Sequence, residues 1–302
     1  MPGAERGTAE ELLTTREVAA LLRIKERKVY DLVASGEIPH VRVTGKLLFP
    51  RALVAAWLRR NSSSAAVADE PQPRPAILAG SHDPLLDWSL RESGSGLATM
   101  LDGSLDGLDR LVRGEAIAAG IHLFEDAERD LWNLEHVKQA LGDQPVVVIE
   151  WARREQGLIV APGNPEKLTG PRDLVGRRLI PRQREAGSFL LLHHLLEREG
   201  LSLEAVDLVD PPARTEADVA LAVADGLVDA GLGLAAMARQ FRLAFVPLIR
   251  ERFDLVIWRR AFFEPPLQRL FAFCRGERFA ARARDLGGYD LSGFRTVRYN
   301  GP

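Results

Sequence analysis

Residues 13–22, Leu-Thr-Thr-Arg-Glu-Val-Ala-Ala-Leu-Leu, and residues 25–39, Lys-Glu-Arg-Lys-Val-Tyr-Asp-Leu-Val-Ala-Ser-Gly-Glu-Ile-Pro, decide how the front of this chain folds. Thr15 can cap a helix over 16–22, with Val18, Leu21 and Leu22 on one face. Arg23-Ile24 breaks it. A second helix is expected over about 26–34, burying Val29, Leu32 and Val33, with Gly36 as its stop. Residues 41–43 and 47–49 flank the turn Thr44-Gly45-Lys46 and read as a small hairpin. Pro50 then starts a third helix reaching Leu58. Arg23, Lys25, Arg27 and Lys28 gather where the second helix begins. A recognition helix presents its N-terminal residues to base edges, and its dipole favours phosphate there. Arg42 and Lys46 on the hairpin can reach the backbone or the minor groove. Tyr30 either touches a phosphate or packs inside.

Charge is divided along the chain in the same sense. Residues 11–60 hold ten Lys/Arg and five Asp/Glu, whereas residues 61–302 hold 29 and 35, within a net charge of −2. A basic unit joined to a larger acidic one is suited to a polyanion at the first part only. A solvated basic face on a three-helix unit would show the same charges; turn, cap and wing coinciding with them favours DNA. No apolar run approaches the roughly 20 residues of a membrane span, and residues 1–10 carry no apolar signal core, so the cytoplasm is expected. Cys274 is the single cysteine, which excludes an internal disulfide and a cysteine metal cluster.

The stretch 61–75, Asn-Ser-Ser-Ser-Ala-Ala-Val-Ala-Asp-Glu-Pro-Gln-Pro-Arg-Pro, lacks large apolar residues and reads as a linker between a domain at 1–60 and another at 76–302. Beyond it, short apolar runs at 76–79, 97–101, 116–121, 145–151, 158–161, 178–181, 230–232 and 255–258 alternate with helical patterns at 105–113, 188–199 and 217–225. That order implies an α/β fold with largely parallel sheets. Ligands of such folds sit at the carboxyl ends of strands. Ser81 lies at a strand end, Ser104 and Ser188 at helix starts, and Thr215 caps a helix with Asp218 at the capping-box position. Four hydroxyls beside helix N-termini could surround a tetrahedral oxyanion, with Arg182 adding charge. Taken singly, each hydroxyl reads as an N-cap. His82 and His122 also fall at strand ends, lining a cleft or bonding a loop carbonyl. Asp229 could orient a donor or repel the wrong anion. His193-His194 lies inside a helix and has no metalloprotease spacing.

The segment 13–39 with its arginine-bearing wing resembles the excisionase and MerR-like winged helix-turn-helix family. The resemblance implies DNA contacts from Thr15, Arg16, Lys25, Arg27, Lys28, Tyr30, Arg42 and Lys46. From residue 76 onward the chain resembles the two-lobed, type II periplasmic-binding-protein-like domain of bacterial regulators, related to molybdate-binding proteins. The stretches that carry this are Ser81-His82-Asp83-Pro84, Gly103-Ser104-Leu105-Asp106-Gly107-Leu108, Ala119-Gly120-Ile121-His122-Leu123, residues 157–165 and Asp229-Ala230-Gly231-Leu232-Gly233. They single out Ser81, Ser104 and Ser188 as ligand-binding. The chain departs from the family at 182–189: Arg182-Gln183 is kept, Gly187 and Ser188 match the family glycine and threonine, but Glu185 replaces a glycine and Phe189 an arginine. The pocket is therefore altered or suited to a different ligand.

Together these readings imply a non-enzymatic, ligand-responsive transcription regulator. Its expected partners are an operator in double-stranded DNA and a second copy of itself, as a homodimer or higher oligomer. The resemblance implies molybdate or tungstate as effector and no other cofactor. The alternative is an enzyme or accessory protein of molybdenum-cofactor metabolism holding a pterin or nucleotide in the same cleft. No Walker, zinc or nucleophile-elbow motif supports it.

Overall fold

The computed structural model describes residues 12–43, 45–51, 53, 54, 57, 58, 73–126 and 131–302. The chain divides into two units, Met1–Pro73 and Arg74–Pro302. Most of the stretch read as a linker, 61–72, lies outside the described residues.

In the first unit, α1 (Thr15–Leu22) is capped by Thr14, one residue earlier than the sequence suggests. A capping box needs Glu three residues after the cap, and Glu17 selects Thr14. The Glu17 carboxylate accepts from the Thr14 N–H at 2.7 Å, and these Thr14 hydrogen bonds hold its pKa down. Thr15 is consequently the first helical residue and buried. Arg23, in the left-handed conformation at φ 53°, ends α1, and α2 (Glu26–Ala34) follows after Ile24 and Lys25. Val18, Ala19 and Val29 form the core with Leu13, Ile38, Phe49 and Val54; Leu22, Leu32 and Val33 pack at its edge. Leu21, expected inside, is exposed. The hairpin of β2 (Val41–Val43) and β3 (Lys46–Pro50) gains a third strand, β1 (Leu12–Thr14), in the order β1-β3-β2. Leu13 points inward from β1 against Phe49, its register partner, which fixes the start of α1 on the wing.

The second unit is built on one mixed sheet, not a largely parallel one. Two parallel arrays flank a pair of long antiparallel strands. One array is β5-β4-β6 (Ala98–Met100, Ile77–Gly80, Ala118–Ile121) and the other is β11-β10-β12 (Asp207–Leu208, Arg178–Ile180, Ala230–Leu234). Between them run β9 (Val146–Val160) and β13 (Ala244–Trp258), while the short strands β7 (Phe124–Asp126) and β8 (Leu131–Trp132) pair with each other apart from this sheet. The β6 array pairs with Asp254–Ile257 of β13, and β12 pairs with Gln156–Val160 of β9. The two long strands thus pass from one lobe to the other, and their middles form the crossing. Helices α3 (Pro84–Glu92), α4 (Ser104–Arg113), α6 (Gly187–Arg198) and α7 (Glu216–Ala224) begin at the carboxyl ends of the array strands. Helices α5 (Leu134–Leu141), α8 (Ala235–Gln240), α9 (Pro265–Phe273) and α10 (Glu277–Leu286) complete the cover. Separate apolar cores lie under each lobe, around Leu111 and Val148 in one and Leu179 and Leu195 in the other. No helix among the described residues is long and apolar enough to cross a membrane.

Candidate functional site

The carboxyl ends of the two arrays face each other, and their loops carry most of the expected ligand residues. Gly107, in the first turn of α4, lies directly on the backbone of Gly80, whose φ is +103°; a Cβ at either position would collide. This close approach brings the Ser104 hydroxyl to 2.8 Å from Ser81 Oγ. Ser104 Oγ also accepts from the His122 N–H at 3.1 Å. The two hydroxyls hold two protons and use one between them. One proton remains to donate elsewhere.

Opposite them, α6 starts at Gly187 with no side-chain cap. The Ser188 hydroxyl is buried, 1% exposed, and has no hydrogen-bond partner. A Cβ on Gly187 would run into the His122 carbonyl, and one on Gly103 into that of Glu185. The lobes therefore touch across the cleft. Gln183 Nε2 donates to the Asp102 carbonyl at 3.1 Å, the Leu105 N–H donates to the Glu185 carbonyl at 3.3 Å, and Arg214 pairs with Asp102.

The floor is the crossing of β9 and β13. Arg154 pairs with Glu251 and, at 2.9 Å, with Asp83, the N-cap of α3. Glu251 holds His122 Nδ1 at 2.8 Å. Trp151 Nε1 and the Tyr289 hydroxyl donate to the same Asp83. Burial acts to raise the Glu251 pKa, but Arg154 and His122 outweigh it and hold it below the usual range. Burial likewise acts against the Arg154 charge, and Glu251 and Asp83 keep the guanidinium protonated. Several buried polar atoms of this unit are unpartnered: Arg154 Nε of the network, and outside it both amide atoms of Gln156, His82 Nδ1 and Glu216 Oε2. Burial lowers the His82 pKa, so that ring is held neutral. Unsatisfied buried polar atoms are rare in proteins, and each calls for an explanation.

Three expected ligand residues are placed differently. Arg182 gives its guanidinium to Glu216, to the Ala213 and Arg214 carbonyls and to Gln183, so it braces its own lobe. Thr215 Oγ1 is spent as the cap of α7, accepting from the Asp218 N–H at 3.1 Å; the buried group beside it is Glu216. Asp229 precedes β12 at its amino end, where it binds Arg178, away from the strand's carboxyl end. Glu185 is exposed and meets the other lobe through its carbonyl alone, while Phe189 lines a separate groove of about 510 Å³ with Leu203, Val206 and Leu208. Arg154, Gln156, Glu216 and Glu251 were not singled out in the sequence. The one available signal was a run of charges, 153–155, flanked by apolar strand residues.

In the first unit Arg16, Lys25, Arg27, Lys28, Tyr30, Arg42 and Lys46 are exposed. Tyr30 is 51% exposed, which settles it outside the core. Lys25 is the N-cap residue of α2 and makes no side-chain cap bond, so the first N–H groups of that helix point outward beside Arg27 and Lys28. Among the described residues these cations have no ion-pair partner, whereas the second unit pairs most of its buried arginines. Thr15, buried in α1, is the exception in the expected DNA-contacting set.

Residues 88–275 match the family described as PBP superfamily domain, and residues 12–62 match a helix-turn-helix domain. The chain is 27% identical over 293 residues to the uncharacterized protein YvgK of Bacillus subtilis (strain 168), covering 92% of this chain and 94% of that one. It is 30% identical over 104 residues to an uncharacterized protein in the ferredoxin 2Fe-2S gene 5' region of Clostridium pasteurianum, covering 34% of this chain and 92% of that one. Among solved structures, a putative phosphate ABC transporter substrate-binding protein with bound phosphate, from Clostridium perfringens, superposes with a TM-score of 0.51 at 13% identity. It covers 73% of this chain and 98% of that one, a likeness of fold.

Proposed function

The chain belongs to the PBP superfamily and carries a helix-turn-helix domain ahead of that family's domain, and from this premise we propose that it is a transcription regulator that binds operator DNA and answers to a small oxyanion. The observation that supports the ligand half is the unpartnered, buried Ser188 hydroxyl at the uncapped start of α6, where the lobes touch. Uncapped α6, the Ser188 hydroxyl, the spare proton of the Ser81–Ser104 pair and Arg154 Nε are all donors, a set that suits ligand oxygens. Molybdate and tungstate are the effectors that the resemblance to molybdate-binding domains implies. The DNA half rests on the unpaired cations around the start of α2 and on the wing. A helix-turn-helix of this size covers few base pairs, so a homodimer reading two half-sites is part of the proposal, as is action in the cytoplasm where DNA is.

A thermal-shift screen with molybdate, tungstate, sulfate, phosphate and small carboxylates tests the ligand class. A ligand at 100 times its dissociation constant stabilises the folded chain by about 2.7 kcal/mol. A rise in melting temperature with one or more oxyanions is expected. A screen in which only carboxylates shift the melt would remove the oxyanion from the proposal.

A further inference from the structure

Phe263 is 74% exposed, the most exposed large apolar side chain among the described residues. It ends the 3₁₀ turn Ala261–Phe263, which follows β13. Its neighbour Phe262 is half-buried, with its ring centre 5.5 Å from that of Phe271. Phe262 meets the Phe263 ring edge-on at 5.2 Å, so the projecting ring is braced from behind. Strands β14 (Tyr289–Asp290) and β15 (Val297–Asn300) both pair with β9. Val297 stands opposite Ile149, so their side chains share one face of the sheet. Among the described residues no strand lies beyond β15, and Val297 is itself exposed. Beside Phe263 there is an open hollow of about 210 Å³, lined by Val147, Ile149, Phe262 and Val297. A projecting aromatic ring and an apolar hollow able to take one therefore occupy the same patch. The charges at its rim are already engaged. Arg259 donates to Asn300 Oδ1 at 3.2 Å and to the Gly301 carbonyl at 2.8 Å, and Arg298 pairs with Glu150. Clustered apolar exposure of this kind marks contact surfaces.

Resting on the homodimer in the reading above, we propose that this patch is the twofold contact between two copies of the second unit, with Phe263 of each copy seated in the hollow of the other. A twofold contact is self-complementary, so one patch must hold both the projecting and the receiving part. This one holds both, and two copies bring no unpaired like charges together. A different partner would need only one of the two features. The patch is small for an obligate dimer, so the contact is reversible. Two half-sites on one DNA reinforce it by raising the local concentration.

The test is sedimentation equilibrium of the full chain over about a hundredfold range of concentration, since a reversible dimer depends on protomer concentration. The parent's mass should rise from monomer toward dimer across that range. Phe263→Glu should weaken dimerisation about tenfold or more, as loss of a buried aromatic anchor does. Val297→Lys should weaken it independently. Both variants should melt with the parent at the dilute end, because neither side chain is buried in the single chain. Equal association of the parent and both variants overturns this patch as the contact and leaves the homodimer standing on another surface. A parent that stays monomeric throughout, with and without operator DNA, overturns both.

Discussion

At the scale of single residues, two serines that look alike in sequence have different work in the fold. Ser104 Oγ satisfies the buried His122 N–H, so Ser104→Ala should lower apo stability by roughly 1–3 kcal/mol as well as weakening the ligand. Ser188 Oγ satisfies nothing, so Ser188→Ala should melt no earlier than the parent. Its oxyanion affinity should fall about tenfold to a hundredfold, the loss of one hydrogen bond to a charged group. Melting curves beside calorimetric titrations separate the two outcomes; an earlier melt with unchanged affinity for Ser188→Ala would make it a structural residue. In the DNA-binding unit, Arg27→Ala with Lys28→Ala removes two exposed, unpaired cations. The fold should survive. The slope of log affinity against log salt should become shallower by about 1.8, at roughly 0.9 per phosphate contact. An unchanged slope would take α2 off the DNA.

At the scale of elements, the long strands β9 and β13 carry charge where a core strand would carry aliphatics. Asp254 on β13 accepts from Arg252 Nε at 3.0 Å and Asn133 Nδ2 at 2.8 Å, yet burial pushes its pKa up to about 6. A carboxyl whose folded pKa is raised stabilises the fold below its unfolded value and loses that contribution as pH rises through the folded one. Denaturant midpoints between pH 4 and 6 should show a component that declines with pH in the parent and is absent in Asp254→Asn. A variant with the parent's profile would assign the titration elsewhere. The same strands explain what the sequence concealed. Local periodicity is enough for α1, α2 and the wing, whose contacts are short in sequence. By contrast 152–157, Ala-Arg-Arg-Glu-Gln-Gly, reads as a loop between two strands, because the partners that neutralise Arg154 are residues 83 and 251. Ser81, Ser104, His122 and Ser188 were legible as strand-end and helix-start residues. Glu216 was hidden behind the capping signal of Thr215, and Asp229 misled because it stands at the amino end of its Ala-Gly-Leu-Gly strand and not at the carboxyl end.

At the scale of the whole molecule, the proposed DNA and oxyanion sites are linked through one free-energy cycle. Coupling between them is reciprocal: if an oxyanion changes operator affinity by some factor, operator changes oxyanion affinity by the same factor. Inside the second unit, Asp83 and His122 of one lobe join Arg154 and Glu251 of the crossing strands in one buried ion network. Such networks have discrete arrangements, and removing one partner is costly, typically about 3–5 kcal/mol. The measurement that bears most directly on the central claim is the affinity of the full chain for an operator fragment, obtained by selection from random DNA. It is titrated by fluorescence anisotropy without oxyanion and with phosphate, sulfate, molybdate or tungstate at saturation. At least one oxyanion should change the dissociation constant by about fivefold or more, within the usual range for coupled sites. Ser188→Ala should need about tenfold to a hundredfold more oxyanion for the same change and leave ligand-free affinity intact. An operator affinity indifferent to all four oxyanions, or a response in Ser188→Ala with the parent's oxyanion dependence, would contradict the account.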